Sequence, residues 1–191
     1  MKTLPIIAAA AFLLAATPAL AEDAHVSIFR STCIDGRASY DATRQQATSG
    51  RWTAIAENAN PNVARIMSTS RAAMAERGAG SALRRSQVFS QPFQDHALYL
   101  VLTEVDTGRI VIGCYLYDFD ATAPLTDNLF GSPGTPTRAV NQGGMVGNTW
   151  NEPPSLPGAL TIRNIFAAPG SPAADAMHAP GLVLSTSSLA R

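Results

Sequence analysis

The sequence predicts a single α+β domain built on an antiparallel sheet, and three observations lead there. Residues 97–105 and 110–117 are apolar on both alternating faces and rich in β-branched and aromatic side chains, the composition of two central strands. Between them Val105-Asp106-Thr107-Gly108 fits a type I turn with Gly108 at the position that wants a positive φ, which makes a hairpin the shortest connection. Upstream, two stretches with helical spacing and recognisable caps supply elements to cover that hairpin. The expectation is therefore two or three helices packed on one face of the sheet.

In chain order, residues 1–21 read as a secretory signal peptide: Lys2, an apolar run over residues 6–16, and the small-x-small ending Ala19-Leu20-Ala21, with cleavage expected after Ala21. The run is shorter than the roughly 20 residues that span a bilayer, so no membrane insertion is expected. The remainder, residues 22–191, is expected to be periplasmic or secreted. The segment H-V-S-I-F-R-S-T-C, from His25, alternates Val26 and Ile28 against polar neighbours and reads as a first strand. Ser39 is the N-cap of a short helix with Tyr40, Thr43 and Ala47 on one stripe and Gly50 as its stop, and Trp52 and Ile55 beyond it are expected core contacts. Asn60-Pro61 opens a clearer helix that carries Val63, Ile66, Met67 and Met74 on one face and stops at Gly78. Residues 79–86 read as a loop with Arg84 and Arg85 in solvent.

Beyond the hairpin, Pro124 opens one helical turn through Leu129 and Phe130. Residues 131–158 are rich in Pro and Gly and nearly without periodicity, so they read as a long ordered loop pinned by Trp150. Leu160, Ile162 and Phe166 mark a further strand. A polar excursion over residues 173–180 leads to a last strand in G-L-V-L-S-T-S-S-L, which begins at Gly181.

Composition narrows the chemistry. Of the 14 basic residues only Lys2 is a lysine, so the chain after residue 21 carries arginines alone and one net negative charge. That balance excludes a global electrostatic pull on nucleic acid. Without a side-chain amine it also excludes Schiff-base chemistry and a Ser-Lys dyad. Cys33 and Cys114 are the only cysteines, and two cysteines in an exported chain most simply form one disulfide. Closing the long loop between them is worth roughly 4 to 5 kcal/mol on the chain-entropy model.

Few residues point to a reaction. Asp106-Thr107-Gly108 resembles the catalytic triplet of aspartic proteases, in which two Asp share one proton. A single copy would require a homodimer, and Arg109 follows the Gly where that family has Ala or Ser, so the turn reading is preferred. Asp118 and Asp120 alternate at a strand end and could project from one face toward a hard cation, although wetting the strand end explains them as well. His25, His96 and His178 are scattered without zinc-site spacing, and no metal or cofactor motif occurs. His96, beside Asp95, is a candidate general base.

The run F-R-S-T-C at residues 29–33, R-W at 51–52 and I-G-C-Y-L-Y at 112–117 resembles a loose set of small exported bacterial proteins of unknown function. Those proteins share an early Phe-x-x-Thr-Cys, a Trp after a first helix and a second Cys in a central strand. The resemblance covers residues 26–130 and implies a paired disulfide and an α+β domain, without an activity. Two functional expectations follow. The first is a non-catalytic periplasmic binding or interaction protein, with an envelope protein as partner and the Trp150 region as the contact surface. The second is a small hydrolase assembled in three dimensions from His96, Asp118, Asp120 and Cys114.

Overall fold

The computed structural model describes residues 23–76, 80–125 and 134–191. The leader and the turn through Leu129 and Phe130 lie outside the described residues, as does Gly78. Eight antiparallel strands form one sheet in the order β1-β2-β3-β4-β8-β7-β6-β5. They are β1 (Thr53–Ile55), β2 (Ala82–Phe93), β3 (His96–Asp106), β4 (Ile110–Asp118), β5 (Arg138–Gln142), β6 (Met145–Asn151), β7 (Ala159–Ala167) and β8 (Gly181–Leu189). Four α-helices accompany them: α1 (Ala24–Phe29), α2 (Tyr40–Ser49), α3 (Pro61–Glu76) and α4 (Pro172–Met177).

The central hairpin is the predicted one. β3 and β4 pair from Tyr99↔Tyr117 to Asp106↔Ile110, and the side chain of Asp106 accepts from the N–H of Gly108 at 3.0 Å, with Gly108 at φ +81°. Alternation then sends Leu98, Leu100, Leu102, Ile112, Cys114 and Leu116 to one face, where each is at most 2 % exposed. Tyr99, Val101, Tyr115 and Tyr117 go to the other.

Both faces are covered, which corrects the expectation of helices on one face. On the first face lie α1, a π-helical turn at Arg30–Ile34 and α2, contributing Val26, Phe29, Ile34, Tyr40 and Ala47 to the core. On the second, α3 buries Val63 and Met67 against Val88 and Val101. α4 sets Ala173 and Ala174 on Ala167 beside Met145. A strand apolar on both faces needs two covers, and this sheet has them.

Four other expectations give way. His25 to Cys33 is helical, because Val26, Phe29, Thr32 and Cys33 are the buried residues and their spacing of three and four is that of a helix. Asp23 caps it by accepting from the His25 N–H at 2.8 Å. Residues 82–86 begin β2 instead of lying in a loop. There Arg84 pairs with Asp106, while Arg85 pairs with Glu104 and Asp41 and lies over the Tyr40 ring. The described part of the 131–158 loop holds the β5–β6 hairpin, turning at Gly143 and Gly144, both at positive φ. The polar excursion contains α4, with Ser171 as N-cap and Pro172 in its first turn.

The remaining elements match. Ser39 caps α2, and Asn60 accepts from the N–H groups of Asn62 and Val63 at the start of α3. Cys33 and Cys114 are joined by a disulfide, with their Cα atoms 5.6 Å apart. No helix among the described residues is long and apolar enough to cross a membrane.

Replacing both cysteines by Ser is expected to lower the unfolding free energy by about 4 kcal/mol in urea titration. A loss below about 1 kcal/mol would mean that residual structure in the unfolded chain already supplies the constraint.

Candidate functional site

The end of β4 carries a buried charge cluster. Asp118 is 2 % exposed, and its Oδ2 accepts from two imidazoles at once, His25 Nε2 at 2.8 Å and His96 Nε2 at 3.1 Å. Its Oδ1 accepts from the Asp120 N–H at 3.0 Å. Behind each imidazole stands another acid: His25 Nδ1 is 2.9 Å from Asp23 and His96 Nδ1 is 3.2 Å from Asp95. The Phe93 ring packs on both imidazoles, with centroids 4.6 Å from His25 and 5.5 Å from His96.

Three elements deliver these groups. Strand alternation turns Asp118 onto the face of Cys114 and Leu116, and His96, the first residue of β3, reaches the same face from the adjoining strand. α1 brings His25. Gly181 fixes the backbone beneath: at φ +89° it lets β8 approach so closely that a Cβ there would lie 2.0 Å from the Asp118 carbonyl oxygen.

Carboxylates only accept, so each imidazole satisfies both neighbours only when both its nitrogens carry protons. Burial disfavours charged His25, but its hydrogen bonds to Asp118 and Asp23 outweigh it and raise its pKa above the ordinary 6.5. His96 is raised likewise, with burial opposed by Asp95 and Asp118. Burial alone would raise Asp118, yet the hydrogen bonds from His25 and His96 hold it below its ordinary 3.8. The cluster is a fully paired set of charges with no free nitrogen lone pair, so it lacks the acceptor a general base needs.

The sequence candidates fare unequally. His96 and Asp118 come together. Asp120 is exposed; its backbone N–H bonds Asp118 and its carboxylate helps to raise His96 through its charge, without a hydrogen bond to either imidazole. Cys114 is committed to the disulfide and offers no thiol. Asp106 is the turn residue already described, its carboxyl lowered by Arg84. Trp150 is 5 % exposed and donates to the Gly134 carbonyl at 2.9 Å, so it is a core wall and presents no contact surface. His178 caps α4 in the left-handed conformation. His25 escaped notice because its segment reads as a strand.

Next to the cluster opens a cleft of about 740 Å³ between α1, the π-helical turn, the end of α2 and the β2–β3 hairpin. Phe93 and Ala24 wall the end nearest His25. Trp52, whose indole donates to Thr32 Oγ1 at 3.3 Å, and Ile28 add apolar surface. The polar lining is mainly carboxamide and hydroxyl, from Gln46, Gln91, Gln94, Ser31 and Ser49, with Arg51 at the rim. Gln91, which pairs with Leu98 across the β2–β3 ladder, lies on the wall of the cleft. Gln94, at the hairpin tip, holds φ +53° without being Gly or Asn.

The raised histidine values stabilise the fold fully below about pH 6.5, and that stability is lost as pH rises through the folded-state values; the depressed Asp118 value contributes above about pH 3.8 and is lost as pH falls through a lower one. The thermal midpoint is expected to plateau between those limits and fall on the alkaline side. Asp118→Asn should remove most of this dependence and cost about 3 kcal/mol at mildly acidic pH. A flat wild-type profile would overturn the assignment of charge to the imidazoles.

No family model, curated protein or solved structure matches the chain. Its functional reading therefore rests on its own residues and their geometry.

Proposed function

We propose that this chain is a non-catalytic exported binding protein whose ligand lies in the cleft between α1, α2 and the β2–β3 hairpin. The observation that carries the reading is the cleft itself, about 740 Å³ and lined by Gln46, Gln91 and Gln94 beside the apolar Ile28, Trp52 and Phe93. A concave site of this size that combines apolar walls with a few convergent polar groups has the usual make-up of a ligand pocket. The strained backbone of Gln94 on the same cleft supports the same view, since such conformations gather at ligand sites. The apolar leader and the disulfide support a periplasmic or secreted location.

The hydrolase reading gains one observation, the meeting of His96 with Asp118. It loses on chemistry: both nitrogens of His96 are occupied by carboxylates, and no hydroxyl among the described residues bonds to the cluster. The cluster is better understood as the fastening of α1 to the sheet. A partner protein held by the 131–158 segment has less support, because Trp150 faces inward.

A fragment screen by NMR on the ¹⁵N-labelled protein tests the reading. Bound fragments are expected to shift the amides of residues 91–94 and 50–52. Gln91→Leu should abolish those shifts while leaving the thermal midpoint nearly unchanged, since it replaces a lining carboxamide at nearly constant volume. Fragments that gather elsewhere, or that bind Gln91→Leu equally well, would overturn the assignment.

A further inference from the structure

Resting on the binding reading above, the structure points to the chemical class of the ligand: we infer that the cleft takes a short oligosaccharide. Each carboxamide offers two N–H donors and a carbonyl acceptor, the complement of neighbouring hydroxyls, which both donate and accept. Gln91 and Gln94 from the β2–β3 hairpin and Gln46 from α2 all belong to the lining. Ser31 and Ser49 add hydroxyls at the open side. A ligand matched to this lining is uncharged and hydroxyl-rich.

The apolar part of the cleft fits the same class. The C–H faces of a pyranose ring are apolar while its edges carry hydroxyls. Phe93 and Ile28 supply apolar surface in the same lining as the carboxamide groups, so one ring can meet both kinds of group. The one ionic side chain in the lining is Arg51, which is exposed and suits at most one acidic substituent on the sugar.

An extended peptide is the natural rival, because β2 is an open edge here. β1 pairs only with residues 88–90 of β2, which leaves residues 91–93 without a neighbour on that side. A peptide strand would need ladder donors along this edge, and Pro92 at its middle has none. The edge is therefore closed to strand addition while the side chains above it remain available. Oligosaccharides bind through side chains and need no ladder.

The test titrates the ¹⁵N-labelled protein with cellotriose, maltotriose and chitotriose, and in parallel with trialanine, following residues 91–94 and the Trp52 indole N–H. At least one trisaccharide is expected to saturate these shifts at millimolar concentration, with affinity at least tenfold weaker in Gln91→Leu. Gln94→Gly, which relieves the positive φ and removes one carboxamide, should fold normally and bind several-fold less tightly. Saturation by trialanine alone overturns the sugar assignment. So does silence from all three trisaccharides while the fragment screen still maps to the cleft, and in both cases the binding reading stands. If the fragments also avoid the cleft, both readings fail together.

Discussion

The attachment of the first helical segment to β4 is the constraint on which the rest of the structure depends. Cys114 and Asp118 lie on one face of that strand, four residues apart and hence about 13 Å along it. Their partners, Cys33 and His25, are eight residues apart on a helical path, about 12 Å at the usual rise. Strand and helix thus match in length, and the segment is fastened at both ends, covalently at one and by charge at the other. Between the fastenings Val26 and Phe29 are fully buried, each worth about 1.5 to 3 kcal/mol of apolar burial. The cleft inherits its geometry from this arrangement, because the same segment forms one of its walls.

Phe93 joins the two regions. It closes the cleft at one end and packs on both imidazoles at the other, so the apolar end of the cleft rests on a set of paired charges. This division of labour is physically consistent. Charges that are mutually saturated hold position, whereas the cleft is lined by neutral carboxamides and hydroxyls.

Much of the fold is legible in the residues, and the failures have identifiable causes. The β3–β4 hairpin, α2 and α3 announce themselves through turn chemistry and caps that act locally: Gly108 in its turn, Ser39 and Asn60 at their N-termini. The segment after His25 misleads because it is short enough for Val26 and Ile28 to mimic alternation, and only contacts with distant strands choose helix over strand. β2 is hidden by Arg84, Arg85 and Pro92, residues that a strand accepts when ion pairs neutralise the cations and the proline sits at an open edge. β5 and β6 are hidden by glycines that turn out to serve the tight turn between them. The site is less legible still. His25 and Asp118 are 93 positions apart, and nothing in the neighbourhood of Gln91 signals that it lines a cleft.

The same attachment sets an order on assembly. The helical segment is the first described part of the chain to be synthesised, yet both points that hold it belong to a strand more than eighty residues later. A helix this short has little stability of its own in water. It stays unsettled until the middle of the sheet exists, so pairing of the two thiols reports that the central hairpin has formed. The rate of native crosslinking then follows the slow, non-local closure of the sheet instead of the fast local chemistry of the helix.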